Sequence, residues 1–255
     1  MSATTFEVAV ATHGPVGAGM AAYAEERIRR ACALSPAPVH DARIALTDDR
    51  KPTVERPWTA KVALDVDGRL VRAHVAAASP AAAVDALEAR LRTQLTALAG
   101  GWEVRRREPT NDSAAGRRDG SRPEFVRRPA GGRRLVRRKA YALRALTPEE
   151  AAREMQLLDH DFHLFTDLVS AEEAVVFRQR DGDLGVQFLE GSIRAIVPPP
   201  FVATAPATTM TLARAVAELD ARDARFVFFR DAASGRGEVV YRRYDGHYGL
   251  VVPVT

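Results

Sequence analysis

The residues that most resemble a reactive centre are the run Asp159-His160-Asp161-Phe162-His163. Histidine and aspartate side chains at close spacing can ligate a metal ion or exchange protons. A metal site also needs ligands that converge from other segments, and no second group of histidines follows in the same stretch. The run therefore favours a junction between a helix and a strand. A metal-dependent hydrolase is the alternative, which elemental analysis would test.

Other catalytic motifs are absent from the sequence. The glycines of segment 14–19 lack the lysine and the spacing of a phosphate-binding loop, and no Gly-x-Ser-x-Gly elbow occurs. The single cysteine, Cys32, excludes an internal disulfide and a cysteine-built zinc site. It falls on the apolar face of a predicted helix, which is typical of a small core residue. We predict a protein that is not an enzyme and takes no cofactor.

Positive charge is concentrated in one segment of the chain. The 255 residues carry 37 Lys and Arg against 33 Asp and Glu, a net charge of +4. Segment 104–139 alone has 13 basic and 4 acidic side chains, a difference of +9, whereas residues 1–103 are neutral. Such asymmetry indicates contact with a polyanion, although the arginine bias of a GC-rich genome also explains it. With no apolar run of ~18 residues and no signal-like amino terminus, we expect a cytoplasmic protein with no membrane partner.

Residues 1–103 are predicted to form an α+β domain with the order β-α-β-β-β-α. Two-residue alternation predicts strands, and apolar residues at helical spacing predict helices. The strands are expected at 6–12, 41–46, 58–66 and 69–77, and the helices at 18–34 and 81–99. This order predicts an antiparallel or mixed sheet with both helices on one face and the other face open to a partner.

Basic side chains mark this open face as a candidate nucleic-acid interface. Strand alternation assigns Arg43, Lys61, Arg72 and His74 to it. Arg27 and Arg30 are expected on the solvent side of the first helix, and Arg90 and Arg92 beside the apolar stripe of the second. Arginine and lysine in such positions can bind RNA phosphates in a salt-dependent way. The remaining candidates, Arg105, Arg106 and Arg107, belong to the next segment.

That segment, 104–134, is rich in Gly, Pro, Ser and Arg and almost lacks apolar residues. It cannot bury enough apolar surface to offset the entropy of ordering. We expect a disordered basic linker, which serves either as a tether or as an RNA-contacting arm.

The rest of the chain contains an internal repeat. Sliding the sequence by 64 residues superposes 147–187 on 211–251 with about fourteen identities in roughly forty positions. We expect copy 1 at 135–190 and copy 2 at 191–255, each a helix followed by three short strands. Each is close to the size at which a single core is marginal, so we predict that the copies pair. The residues expected in the contact are Phe162, Phe165, Val176, Phe177, Phe226, Phe229, Val240 and Tyr241.

Three stretches carry a resemblance to a known family: Val136-Arg-Arg-Lys-Ala-Tyr-Ala-Leu143, then Thr147-Pro-Glu-Glu-Ala151, then Met155-Gln-Leu-Leu-Asp-His-Asp-Phe162. They resemble the carboxy-terminal domain of long-form ribosome hibernation promoting factors. Copy 2 repeats that family's closing motif in Gly237-Glu-Val-Val-Tyr-Arg-Arg-Tyr-Asp-Gly-His-Tyr-Gly-Leu250. The element order of residues 1–103 is similar to the S30AE, or sigma-54 modulation, domain.

The resemblance implies a dormancy or stress factor that binds the 30S subunit and the 70S ribosome. Its amino-terminal domain would occupy the mRNA and tRNA channel, inhibit translation and contact 16S rRNA through Arg27, Arg30 and Arg90. Ala97 and Ala99 stand where the family tends to have basic residues. Two carboxy-terminal copies are similar to the actinobacterial dormancy-associated type.

Pairing of the two copies within one chain would satisfy an isologous surface internally and leave 70S monosomes uncoupled. A homodimer is the alternative assembly. The alternative function is a general RNA-binding or transcription-modulating protein.

Overall fold

The computed structural model describes residues 6–48, 55–99, 123, 125–126, 128–179, 182–191 and 200–254. The chain divides into two compact units, and each is described by itself. Of the described residues, the N-terminal unit contains 6–48, 55–99, 123 and 156–159, and the C-terminal unit contains 125–126, 128–155, 160–179, 182–191 and 200–254.

The N-terminal unit is a mixed sheet with two helices. Its elements are β1 (Glu7–His13), α1 (Met20–Cys32), β2 (Val39–Asp48), β3 (Trp58–Val66), β4 (Arg69–Ala77) and α2 (Pro80–Ala99). The strand order is β1-β2-β3-β4, with β1 and β2 parallel and the other neighbours antiparallel. This confirms the predicted α+β class and the β-α-β-β-β-α order.

One face of this sheet forms the core with the helices. Alternate residues of the central strands, such as Ile44, Val62 and Leu64, are almost fully buried, as are Ile28 of α1 and Leu91 of α2. Because the side chains of a strand alternate between faces, the intervening residues lie on the other side. The packing therefore leaves one face of the sheet to polar and small residues.

The ends of the elements differ slightly from the sequence prediction. Strand β2 is longer than expected, because Thr47 and Asp48 continue its pairing with β3. Helix α1 begins at Met20, since Gly19 adopts the left-handed conformation with φ of 84°. Helix α2 begins at Pro80, one residue before the expected start, and the Ala82 amide donates to Ser79 Oγ at 3.2 Å.

The C-terminal unit contains two five-stranded sheets. Its strands are β5 (Leu135–Ala142), β6 (Ala145–Leu146), β7 (Phe162–Asp167), β8 (Glu173–Arg178), β9 (Leu184–Phe188), β10 (Phe201–Ala203), β11 (Thr208–Met210), β12 (Phe226–Asp231), β13 (Gly237–Arg242) and β14 (Tyr248–Val254). Its α-helices are α3 (Pro148–Leu157), which ends in the segment grouped with the N-terminal unit, and α4 (Leu212–Ala221). The strand orders are β10-β9-β8-β7-β6 and β11-β12-β13-β14-β5.

The two copies exchange their first strands. Strand β5 precedes the helix of copy 1 but pairs in parallel with β14 of copy 2. Strand β10 precedes the helix of copy 2 but pairs in parallel with β9 of copy 1. Each copy has the expected helix and three strands, yet the sheets cross the expected boundary at residue 190. Local periodicity predicts where a strand lies and not which strand it joins, so the sequence did not reveal the exchange.

The end of the expected linker is part of the C-terminal unit. Residues 104–122 lie outside the described residues. Further on, the Phe125 ring stacks on Tyr244 with centroids 4.9 Å apart, and the Val126 amide donates to the Tyr244 carbonyl at 2.9 Å. Residues 130–132 form a short 3-10 helix. The boundary expected at residue 134 is therefore too late, because Phe125 supplies an aromatic contact that the overall composition of the segment obscured.

No helix within the described ranges is long and apolar enough to cross a membrane.

Candidate nucleic-acid interface

Four basic residues meet on the open face of the N-terminal sheet. In the pairing of β2, β3 and β4, Arg43 lies opposite Ala63, which lies opposite Arg72. In the adjacent row, Lys61 lies opposite His74. Because these residues all alternate with buried ones, their side chains share the face away from the helices. The pairing register thus places all four residues on the open face.

Small residues fill the rest of these rows. Ala9 lies beside Arg43, and Ala11 lies beside Ala45, which is the neighbour of Lys61. Alanine side chains leave a flat surface between the longer basic ones. Cations that protrude from such a surface can contact the phosphates of an RNA backbone.

The cations of the open face differ in their acidic partners. Arg43 Nε lies 2.9 Å from Asp41 Oδ2, yet its side chain is 76% exposed. Lys61 and Arg72 are exposed, and neither forms an ion pair with any residue in the described part of the chain. Two positive charges of this face are therefore not neutralised by a neighbouring carboxylate.

Arg27 does not lie on the solvent side of α1 as expected. Its Nη2 is 2.6 Å from Asp85 Oδ1 and its Nε is 2.8 Å from Glu88 Oε2, so it joins α1 to α2. Asp85 also accepts a hydrogen bond of 2.6 Å from the Tyr23 hydroxyl. The hydrogen bond from Tyr23, followed by those from Arg27, lowers the pKa of Asp85 below its usual value. Because Arg27 is far in sequence from Asp85 and Glu88, no local sequence pattern indicates that it joins the two helices.

The other helical arginines also have acidic partners. Arg30 pairs with Glu26 one turn away, and Arg92 Nη1 lies 3.4 Å from Glu88 Oε1. Arg90 pairs with Asp159, which is grouped with the same unit. The linker candidates Arg105, Arg106 and Arg107 lie outside the described residues. Every arginine of α1 and α2 thus has an acidic partner. Lys61 and Arg72 of the sheet have none within the described ranges.

The run from Asp159 to His163 connects α3 to β7. Across the described ranges, no three His, Cys, Asp or Glu side chains converge on a point where a metal ion could bind. His163 is 3% exposed, and burial lowers its pKa to about 4. Asp161 forms an ion pair with Arg225 at 2.8 Å. Asp161 and His163 thus contribute paired and buried side chains to the C-terminal unit, whereas Asp159 pairs with Arg90 in the N-terminal unit.

Four of the eight residues expected to join the copies form one aromatic cluster. The ring centroids of Phe162 and Phe226 are 4.9 Å apart. Phe162 also contacts Tyr241 at 5.7 Å, and Phe226 contacts Phe177 at 5.4 Å. Since Phe162 and Phe177 belong to copy 1 and the other two to copy 2, the cluster spans the two sheets.

The other four residues face the opposite side of their strands. Phe229 and Val240 are buried against Ala215 and Leu219 of α4, in the core of copy 2. Phe165 and Val176, their equivalents in copy 1, are fully buried. The contact between the copies is instead completed by five other apolar residues: Leu164, Val175, Phe228, Val239 and Val251. The first four each lie two positions from a member of the aromatic cluster on the same strand, so strand alternation indicates them, although they were not among the expected residues.

The C-terminal region of the chain matches a described protein family. Residues 131–186 and 202–250 match the family model "Sigma 54 modulation/S30EA ribosomal protein C terminus". A "Ribosome hibernation promotion factor" from Deinococcus radiodurans is 31% identical over 173 residues, which cover 66% of this chain and 90% of that protein.

A "Dormancy associated translation inhibitor" from Mycobacterium tuberculosis is 38% identical over 129 residues, or 47% of this chain and 47% of that protein. The chain thus spans about half the length of these mycobacterial relatives. Among solved structures, the Thermus thermophilus Protein Y N-terminal domain aligns with a TM-score of 0.30 and 20% identity, over 36% of this chain and 99% of that chain.

Proposed function

The chain belongs to the ribosome hibernation promotion factor family, and from this membership we propose that it binds the ribosome and inhibits translation. Its N-terminal unit binds the small subunit in the channel used by mRNA and tRNA, against 16S rRNA. The protein thereby protects idle ribosomes during stress or dormancy. The observation that carries the proposal is the open sheet face, where Lys61 and Arg72 are exposed without a carboxylate partner among the described residues.

The lack of a carboxylate partner for these two side chains within the described ranges supports the proposed site, because it leaves them available to bind phosphate. A lysine or arginine already paired with a carboxylate must give up that interaction before it neutralises a phosphate, whereas Lys61 and Arg72 lose nothing comparable. The alanine-rich surroundings allow close approach of an RNA backbone. The N-terminal segment 1–103 is neutral overall, so binding depends on local clustering of charge and not on a long-range field.

The test is a pair of charge-reversal variants that change the net charge equally. Lys61→Glu with Arg72→Glu alters the open face, and Arg30→Glu with Arg92→Glu alters two exposed helical arginines that are already paired. We expect the sheet variant to lose co-sedimentation with 70S ribosomes and inhibition of cell-free translation, while the helix variant retains most of both. Thermal melting verifies that each variant is folded. Equal binding by the sheet variant and the unaltered protein would contradict the proposed site.

A general RNA-binding or transcription-modulating protein is the rival function. Such a protein would bind free RNA as tightly as it binds ribosomes. In a competition experiment with excess transfer RNA, we expect ribosome binding to persist. Complete competition by free RNA would favour the rival.

We further propose that one chain occupies one 70S ribosome and does not join two. The aromatic cluster of Phe162, Phe177, Phe226 and Tyr241 supports this, because it lets two copies of one chain satisfy each other. Sucrose-gradient sedimentation of ribosomes with the purified protein should give a 70S peak. A strong disome peak would contradict the single-chain arrangement.

A further inference from the structure

Equivalent residues of the two copies contact each other. The repeat offset of 64 residues relates Phe162 to Phe226, and their rings are in contact. The same offset relates Asp161 to Arg225, which form an ion pair. When two similar units are arranged around a two-fold axis, residues close to the axis meet their own equivalents. These positions therefore lie near the pseudo-two-fold axis of the pair.

At two such positions the copies differ in charge. Arg225 Nη1 of copy 2 lies 2.8 Å from Asp161 Oδ1 of copy 1. Glu173 of copy 1 accepts hydrogen bonds from Arg236 Nε and from the Gly237 amide of copy 2. The Glu173 side chain is only 12% exposed, so these charge-assisted bonds are partly shielded from water and from salt.

Pairing of a copy with another of its own kind would lose both interactions. In a pair of two copies 1, Asp161 would face Asp161, and Glu173 would face a second Glu173 with Glu172 beside it. In a pair of two copies 2, Arg225 would face Arg225. Like charges at contact distance are repulsive, and a carboxylate or guanidinium buried without its partner costs more than an exposed one.

Shape reinforces this discrimination at residue 237. A Cβ atom added to Gly237 would lie 2.7 Å from a ring carbon of Phe228 and 2.9 Å from Glu173 Oε2. The equivalent residue of copy 1 is Glu173, a far larger side chain. The space that receives Glu173 is therefore available only when the facing copy has glycine at this position.

We propose that copy 1 recognises copy 2, and not another copy of its own kind, through Asp161 with Arg225 and Glu173 with Arg236 and Gly237. The apolar residues that the copies share, such as Phe162 and Phe226, supply affinity without discrimination, and the opposite charges select the partner. This inference rests on the proposed pairing of the copies. It explains how two similar domains in one chain avoid pairing with the same domain of another chain.

Carbodiimide coupling of the variant Arg225→Lys tests the recognition directly in the full chain. The substitution keeps the positive charge and supplies an amine that a carbodiimide can join to the Asp161 carboxylate. We expect a crosslink between the peptides that contain residues 161 and 225. The control, Arg225→Lys with Asp161→Asn, should not give it. Absence of the crosslink in the first variant, or an equal yield in the control, would overturn the proposal.

A mixture of isotopically light and heavy chains separates this proposal from the single-chain arrangement. A 161–225 crosslink within one chain supports both. A crosslink that joins light to heavy chains supports recognition between unlike copies and contradicts the proposal that one chain pairs with itself. The two ideas can therefore fail independently.

Charge exchange gives a second, energetic test. Asp161→Arg and Arg225→Asp should each lower the melting temperature of the C-terminal unit, because each creates a like-charged contact. The double exchange restores opposite charges and should recover most of the loss. If the decrease in melting temperature of the double variant equals the sum of the decreases of the two single variants, the pair has no role in recognition.

Discussion

The Arg27 guanidinium on α1 and the Asp85 carboxylate on α2 form an ion pair with 2.6 Å between Nη2 and Oδ1. The pair joins two helices that lie on the same face of one sheet. It also removes Arg27 from the set of cations that can bind a phosphate without losing a partner. The contact between these two residues thus stabilises the helical layer and leaves the opposite face of the sheet as the candidate binding surface.

Asp85→Asn is expected to destabilise the N-terminal unit by about 1 kcal/mol, because Arg27 and the Tyr23 hydroxyl lose a charged acceptor. The melting temperature should fall by a few degrees. Glu26→Gln is the matched control, since it removes only an exposed pair with Arg30. Equal melting of the Asp85 variant and the control would show that the Asp85 carboxylate contributes nothing to stability.

Ribosome binding is expected to weaken with salt, and the dependence should be smaller when sheet cations are removed. Each cation that neutralises a phosphate releases condensed counterions. Lys61→Gln with Arg72→Gln should therefore reduce the slope of log affinity against log salt by about 2, or roughly one for each charge. Measurements of ribosome affinity between about 50 and about 300 mM salt determine the slope. An unchanged slope would exclude phosphate contact by both side chains.

His163 is expected to make the C-terminal unit sensitive to acid. Burial, together with the positive charge of His160, Arg144 and Lys139, lowers the pKa of His163 from 6.5 to about 4, although Glu154 Oε2 is 3.3 Å away. The unfolded chain therefore binds a proton that the folded chain does not, so stability falls as pH decreases from 6.5 towards 4.

The equivalent residue of copy 2 is Val227, which makes His163→Val the natural comparison. Chemical denaturation at several pH values should show a shallower loss of stability for this variant below pH 6.5. The difference should reach roughly 3 kcal/mol at most, from the size of the pKa shift. His40→Ala, at an exposed position, serves as the control. Parallel profiles for the original protein and the valine variant would contradict this assignment.

Gly237→Ala is expected to destabilise the C-terminal unit by about 2 kcal/mol, since the added methyl group overlaps the Phe228 ring and the Glu173 carboxylate. Gly131→Ala is the control, because no atom lies within 4 Å of the position of its Cβ. Melting temperatures compare the two variants. A loss of equal size at both positions would indicate a general effect of glycine replacement and not crowding between the copies.

Cys32 is expected to resist alkylation in the folded protein. It is the last residue of α1 and is buried in the core of the N-terminal unit, and burial raises the pKa of its thiol to about 11. Iodoacetamide at neutral pH should label it only after the N-terminal unit unfolds. Mass spectrometry during a denaturant titration should thus report the unfolding of this unit. Rapid labelling without denaturant would contradict the buried position.

The sequence predicted the elements of the N-terminal unit because their signals are local. Two-residue alternation in β3 and the turn at Asp67-Gly68 specify a hairpin within a short stretch of chain. The same alternation predicted that Lys61 and Arg72 share a face. These features depend on neighbouring residues, so one sequence is enough to find them.

Features that depend on distant residues were not predicted. Arg27 and Asp85 are 58 residues apart, and no local pattern indicates their pairing. Strands β5 and β10 each pair with a strand of the other copy, and no pattern within either strand indicates which partner it joins. The repeat did indicate a contact between the copies, yet only alternation along each strand separates Phe162 on one side from Phe165 on the other.

The exchange of first strands also affects the order of events during synthesis. Strand β5 leaves the exit tunnel long before its partner β14 has been translated, and for that interval its backbone amides and carbonyls have no strand to pair with. Contacts between segments so far apart in sequence form slowly. The arginines and lysine of β5, Arg137, Arg138 and Lys139, discourage aggregation of the nascent chain at an unpaired edge. The partner of β5 is thus synthesised late, and the positive charges of β5 protect the nascent chain from aggregation until that partner is available.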